Sequence, residues 1–458
     1  MKAWFWWFKL QRELADWRLW LTRALVIVFA ALAGLSIVVF SWLGDWALER
    51  FSDLRGRWAW APLVWTPLCT VAIVWLTRRF WPGAGGSGIP QVMAALDPAV
   101  EPEQRGLFVS LRLSLAKMLL TSWGLLAGLS LGREGPSVQV AAGVMHAARR
   151  WLPDRTAVSA HGLLVAGGAA GIAAAFNTPL GGVMFAIEEL TRRPEQRSSG
   201  LLIAGIVLAG LVGASINGNG SYFGVIHVQG LDLSLFWPGL LLALGCGLMG
   251  GLFSRLMINS LRGDGRDGWS RWRRLRPLSF ALACGLGVAV IGLVTDGATF
   301  GSGYGYNHAL LQGEHLASWL YAPLKLLATW LTTWAGVPAG IFAPSLAIGA
   351  AWGADVAALL GHAQAPALIA MGMVGFLAAT TQAPLTAFII VMEMVDGHAM
   401  VLSLMACALV ASGVSRLIST PLYRALTQLQ LGRLPPPPAE PPAQREAEAS
   451  PANPASNS

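Results

Sequence analysis

Apolar runs interrupted by glycine and proline set the pattern of this chain. They fall at about residues 24 to 43, 60 to 77, 107 to 131, 158 to 176, 200 to 216, 236 to 254, 278 to 294, 319 to 337, 366 to 379 and 400 to 414. A helix crossing a ~30 Å hydrocarbon core needs ~20 apolar residues, and several of these runs are shorter or broken. The pattern predicts an all-α polytopic membrane protein of many tilted, partly broken helices. Breaks in such helices survive only where protein or a water-filled cavity satisfies the freed backbone. Composition agrees: 55% of the 458 residues are hydrophobic and 12% charged, too little polar surface for a soluble globule. The 53 glycines predict close helix contacts.

Charge adds orientation. The net charge of +8 could point to nucleic acid, but the basic residues sit in short flanks between apolar runs. No nucleic-acid partner is expected, and the lipid bilayer is the expected surrounding. Lys2, Lys9, Arg12, Arg18 and Arg23 precede the first long run, and Arg262, Arg266, Arg271, Arg273, Arg274 and Arg276 crowd one loop. Both regions read as cytoplasmic, as do both termini, whereas residues 217 to 235 and 295 to 318 carry no Lys or Arg and suit the opposite side. Residues 1 to 20, rich in Trp, read as an amphipathic helix on the cytoplasmic membrane surface; no small-x-small cleavage site marks them as a removed signal. Residues 21 to 430 form the membrane domain, and the Pro, Ala, Glu and Ser of residues 431 to 458 read as a disordered tail. Cys69, Cys246, Cys284 and Cys407 lie in apolar runs without a CxxC pair and read as packing residues. The seven His lack metal-ligand spacing, so no metal or cofactor is expected.

The chain also repeats. Lys117, Gly132, Pro136 and Ser137 recur as Lys325, Gly340, Pro344 and Ser345 at a shift of 208, and Ala174, Pro179, Leu180 and Glu188 recur as Ala379, Pro384, Leu385 and Glu393 at a shift of 205. Two related halves follow, at about residues 60 to 216 and 236 to 430, expected as an inverted repeat although the letters do not give their orientation. Such halves build transporter sites where they meet.

Within the repeat, Gly132, Arg133, Glu134, Gly135 and Pro136 place a carboxylate between two glycines inside an apolar run. A charge at membrane depth is costly, so an acid kept there is a functional-site candidate by default. The plainer reading is a buried acid paired with Arg133. G-R-E-G-P is answered by G-I-F-A-P at 340 to 344, so two helix starts can converge, each with unpaired N–H groups and a partial positive charge suited to an anion. Residues 83 to 90 (G-A-G-G-S-G-I-P) form a glycine-rich turn with Pro at a helix start, leaving the Ser87 hydroxyl free to donate. Tyr423, after Pro421, offers another neutral donor, and Glu189 ends the run after Pro179.

These residues resemble the CLC family of chloride channels and chloride/proton exchangers, in the bacterial form without paired nucleotide-binding domains. The matches are G-S-G-I-P at 86 to 90, G-R-E-G-P at 132 to 136, F-N-T-P-L-G-G-V-M-F-A-I-E-E at 176 to 189, G-I-F-A-P at 340 to 344 and the late Pro-Leu-Tyr ending at Tyr423. By this resemblance Ser87 and Tyr423 line the inner and central chloride sites with Gly88, Ile89, Arg133, Gly135, Ile341 and Phe342, the amides of the last two facing the central ion. Glu134 is the outer gate, a carboxylate that takes the place of chloride and leaves when protonated. Glu189 matches the inner proton-transfer glutamate of the exchangers, with Glu188 as the alternative. Lys117 matches a buried lysine that tunes the local potential, although its repeat partner Lys325 fits a structural role equally. The resemblance further implies a homodimer in the bacterial inner membrane, exchanging chloride for protons, each subunit with its own pathway.

Two departures keep alternatives open. Gln91 and Met93 stand where related bacterial exchangers often carry glutamates, which leaves a passive channel in play. Ser87 goes with chloride, Pro there with nitrate and Met-like replacements with fluoride exporters. An intramembrane enzyme is not expected, because no H-E-x-x-H or G-x-S-x-G arrangement occurs.

Overall fold

The computed structural model describes residues 16–153, 158–191, 199–218, 222–223, 233–263, 265, 267–313, 319–361, 364–432 and 434. Eighteen α-helices are present among them, and no strand. They are α1 (Trp17–Arg57), α2 (Pro62–Phe80), α3 (Ile89–Leu96), α4 (Leu111–Leu126), α5 (Glu134–Ala147), α6 (Ala160–Phe176), α7 (Pro179–Phe185), α8 (Ser199–Asn217) and α9 (Phe236–Arg262). Then follow α10 (Gly268–Leu275), α11 (Pro277–Val294), α12 (Tyr304–Leu311), α13 (Tyr321–Ala335), α14 (Phe342–Leu360), α15 (Ala365–Thr381), α16 (Pro384–Met394), α17 (Val401–Arg416) and α18 (Leu422–Leu431).

Six helical stretches among the described residues are long and apolar enough to span a bilayer: α1, Gln104–Leu126, α9, α11, α14 and His398–Arg416. The chain is an integral membrane protein. Two sequence expectations need correction. Phe342–Leu360, whose start G-I-F-A-P marks but which no apolar run covers because Gly349, Gly353 and Asp355 interrupt it, is one continuous helix. Of the residues 1 to 20 expected as a surface helix, Trp17 to Trp20 belong to α1; residues 1–15 lie outside the described residues. The expected disordered tail lies outside them too from residue 435 on, and its first residue, Leu431, closes α18.

Local sequence explains most boundaries. Pro opens α2, α3, α7, α11, α15 and α16 in the first turn, where its missing N–H is no loss. Asn177 (φ 56°) and Gln382 (φ 60°) end α6 and α15 in the left-handed conformation, one repeat apart. Glycines set the tight pairings: a methyl on Gly171 of α6 would stand 2.5 Å from the Ser137 carbonyl of α5, and Gly349 of α14 lies directly against Gly372 of α15.

The halves meet through reciprocal contacts. Gly132 N–H donates to the Gly340 carbonyl at 2.8 Å and Gly340 N–H to the Gly132 carbonyl at 3.0 Å. Glu188 accepts from the amides of Leu385 (3.2 Å) and Thr386 (2.7 Å) at the start of α16. Glu393 accepts from Leu180 (3.1 Å) and Gly181 (2.7 Å) at the start of α7. Contacts in which equivalent residues exchange partners are the signature of a local two-fold. The packing repeats with them: α1 runs along α8 as α9 runs along α17, and α5 along α6 as α14 along α15.

Candidate functional site

Four helix starts converge beside the Gly132–Gly340 bridge, those of α3, α5, α14 and α18. A methyl on Gly88 would lie 2.6 Å from the Gly135 carbonyl, and one on Gly135 would strike the Ser87 hydroxyl and stand 3.5 Å from Gly340 Cα. The rings of Phe342 and Tyr423 stack at 6.0 Å and 16°, tying α14 to α18. Only glycine allows this approach, and Gly86 (φ 77°) and Gly88 (φ 109°) also need its left-handed freedom. The first amides of each helix have no partner within the helix and carry the positive end of its dipole.

Three polar atoms face this point, each buried with no hydrogen-bond partner: Ser87 Oγ, Tyr423 Oη and Glu134 Oε2. Glu134 is 1% exposed. Its carboxylate folds back over Gly132, so that a methyl there would collide with Oε2, and the backbone N–H groups of Glu134, Ala343 and Arg133 bear on it. The carboxylate thus rests on the starts of both α5 and α14, where an anion would sit. Pairing with Arg133 is not what holds it: the Arg133 guanidinium turns to Asp45 at 2.7 Å and to the Ser41 carbonyl at 2.6 Å.

Cavities open on either side. One of about 430 Å³ reaches Ser87 and is lined by Arg78, Gly86, Gln91, Arg273 and Ile341 among others. Another, of about 460 Å³, is lined by Asp45, Arg133, Asn177, Tyr222 and Tyr304. Ser87 lines the first, and Arg133, the residue before Glu134, lines the second. A third cavity, about 490 Å³, holds Glu188, Glu189, Gln382, Arg416 and Arg424.

Each expected residue can now be placed. Ser87, Ile89, Glu134, Gly135, Ile341, Phe342 and Tyr423 gather at the convergence. Gly88 is there too, but its N–H is not free, because Gln91 Oε1 accepts it at 3.0 Å while Gln91 Nε2 donates to the Gly85 carbonyl. Gln91 therefore staples the turn. Arg133 sits at the site by its backbone, its side chain being held by Asp45 in the outer cavity. Lys117 is fully buried and donates to the Ala84 (2.8 Å) and Gly86 (2.5 Å) carbonyls of the turn carrying Ser87; Lys325 does the same to Thr299 (2.9 Å) and Gly301 (2.8 Å). Glu188 is committed to the start of α16, whereas Glu189, displaced by the π-helical turn Ala186–Thr191, looks into the third cavity toward Arg424. Sequence reasoning missed Asp45, Tyr222 and Tyr304, which lie far from any motif and reach the site only through folding.

A duplicated helical membrane scaffold, with helix starts, orphaned hydroxyls and a carboxylate meeting between two cavities, defines a protein that passes small anions through a bilayer. The chain belongs to the voltage gated chloride channel family, whose pattern it matches over residues 69–416. It is 30% identical over 447 residues to the H(+)/Cl(-) exchange transporter ClcA of Citrobacter koseri, covering 93% of this chain and 91% of that protein. The ClcA exchange transporter of Klebsiella pneumoniae is 29% identical over 429 residues, 89% of this chain and 88% of that protein. Among solved structures, a slow cyanobacterial Cl-/H+ antiporter superposes with a TM-score of 0.76 at 27% identity, over 90% of this chain and 98% of that one. A CLC-type fluoride/proton antiporter shares the fold with a TM-score of 0.71 at 23% identity, over 88% of this chain and 96% of that one.

Proposed function

We propose that the chain is a secondary transporter exchanging chloride for protons across the bacterial inner membrane, with both termini cytoplasmic and a homodimer as the working form. The observation that carries the reading is the Glu134 carboxylate lying on the starts of α5 and α14 while Ser87 Oγ and Tyr423 Oη stand buried and unpartnered beside them. A carboxylate and a chloride compete for the same amides. Protonation removes the charge of Glu134 and with it the reason for the helix dipoles to hold it, so chloride takes its place and the proton is carried on the displaced side chain. Glu189, in the cavity with Arg416 and Arg424, supplies protons from the cytoplasmic side along a route separate from the 430 Å³ chloride vestibule. The sequence resemblance supports the same roles, and the relatives named as exchange transporters support the substrate pair.

A passive chloride channel on the same scaffold is the runner-up, favoured by Gln91, an amide fixed in the Ser87 turn where exchangers often carry an acid. Liposomes loaded with chloride separate the two. Exchange drives protons uphill under a chloride gradient; chloride flux that leaves internal pH unchanged refutes it and establishes the channel. Glu134→Gln and Glu189→Gln each stop proton movement while chloride continues, and coupling that survives either change removes that residue from the proton path.

A further inference from the structure

At the end of α5 remote from Glu134, a cavity of about 630 Å³ opens among the start of α4, the end of α5 and the segment before α4. Arg112, Arg149, Arg150, His146, Ser110 and Glu103 line it, Glu103 being the one acid among the described lining residues. The charges of Arg149, Arg105 and Arg150 all bear on the His146 imidazole. None of these four arginines enters an ion pair among the described residues. His146 Nδ1 and Arg105 Nε are moreover buried with no hydrogen-bond partner. Membrane orientation asks only for exposed basic residues; it does not ask for a cavity containing orphaned nitrogens beneath them.

The surroundings identify the occupant. Leu111, Leu115 and Leu119 repeat every four residues up the outer face of α4, exposed by 51%, 58% and 53%, and Leu107 and Trp151 add 54% and 68% at the cavity rim. A soluble anion would have no use for an apolar stripe that begins at the basic cavity and climbs away from it. A diacyl phosphate uses both. The cavity also lies beside the long apolar helix α1, on which Ala148–Arg150 packs.

We infer that this cavity is a binding site for the phosphate headgroup of an anionic phospholipid, with Arg112, Arg149 and Arg150 around the phosphate, His146 at its floor, and an acyl chain along Leu111, Leu115 and Leu119. The inference stands on the membrane fold and is independent of the exchange reaction.

Native mass spectrometry of the delipidated full chain, titrated with dioleoyl phosphatidylglycerol or dioleoyl phosphatidylcholine, tests it. The anionic lipid binds more tightly than the neutral one. Arg149→Gln with Arg150→Gln weakens it on the order of 30-fold, from the contribution of each arginine to anionic-lipid binding. The control pair Arg271→Gln with Arg276→Gln removes the same charge from exposed positions in another basic segment and leaves the tight binding unchanged. Equal weakening by both pairs, no weakening by the first, or equal binding of the neutral lipid overturns the site. Inorganic phosphate that binds wild type but not the first variant, and displaces no lipid, overturns the lipid in favour of a solution anion. Retained thermal unfolding temperature in each variant excludes misfolding as the cause.

Discussion

Lys117 and Lys325 occupy equivalent positions, yet only one of the two turns they hold belongs to the anion site. Replacing either with Met keeps the stem and removes Nζ: the Ala84 carbonyl is left unpaired in one case, Gly86 still accepting from the Ala339 N–H at 3.1 Å, and the Thr299 and Gly301 carbonyls in the other. Each orphaned group costs about 1–3 kcal/mol, so Lys117→Met loses about 1–3 kcal/mol and Lys325→Met about 2–6 kcal/mol, each offset in part by no longer burying an amine. Thermal unfolding in detergent should fall at least as far in Lys325→Met as in Lys117→Met. Chloride binding should not. In Lys117→Met the turn loses its tie at Ala84 and one of its two ties at Gly86, the residue before Ser87, so the loosened turn no longer presents the hydroxyl in place. At about 2 kcal/mol, the middle of the range for Lys117→Met, an equilibrium depending on that turn shifts about 30-fold. Lys325→Met loosens Gly301–Gly303 ahead of α12, a turn that gives no group to the convergence, and chloride affinity by calorimetric titration stays at the wild-type value. Equal loss of affinity in the two variants refutes the argument, since it would mean that scaffold strain alone governs binding.

Three further outcomes follow from contacts already described. Gly135→Ala places a methyl on the Ser87 hydroxyl and 3.0 Å from its carbonyl; overpacking of about 1–3 kcal/mol weakens chloride titration, and unaltered binding disproves the close approach. Glu188→Ala leaves the Leu385 and Thr386 amides uncapped and lowers stability by about 1–3 kcal/mol, with proton coupling intact in the liposome assay; lost coupling makes Glu188 the proton carrier. Outside the membrane, hydrogen bonds from the Ser270 side chain and amide hold the Asp267 carboxylate below its usual range at the start of α10. A depressed folded value means this cap is fully present above the unfolded value of about 3.9 and is lost as pH falls through the folded one, so hydrogen exchange in 268–275 should accelerate only below about pH 4 and not at all in Asp267→Asn.

Much of this was legible in the letters because the relevant physics is local. Pro at a helix start, glycine where backbones touch, and an acid between glycines all act within a few residues, and the repeat made G-R-E-G-P and G-I-F-A-P point at each other before any coordinates did. The extent of Phe342–Leu360 was not marked by an apolar run, because Gly349 and Gly353 lower its hydropathy while allowing α14 to lie against α15. The pairing of Arg133 with Asp45, 88 residues apart, left no trace in the sequence. Neither did the stapling of Gly88 by Gln91, because a glutamine next to a glycine turn reads only as a missing acid.

The repeat also separates scaffold from function. Where the halves still match, the residues hold structure: Gly132 with Gly340, Lys117 with Lys325, Glu188 with Glu393. Where they differ at the same register, chemistry begins. Glu134 is answered by Phe342, so one helix start carries a titratable group and the other an aromatic that stacks on Tyr423. Glu189 is answered by Met394, which is buried and apolar, so only one half opens an acidic route to a cavity. A symmetric pair of carboxylates at the convergence would repel each other across the Gly132–Gly340 bridge and leave no room for chloride. A symmetric pair of apolar side chains would leave nothing to carry a proton. Exchange of two unlike ions at one point requires that the duplicated halves supply equal frames and unequal side chains. Phe342→Glu should therefore abolish chloride binding in a calorimetric titration, and unchanged binding in that variant refutes the reasoning.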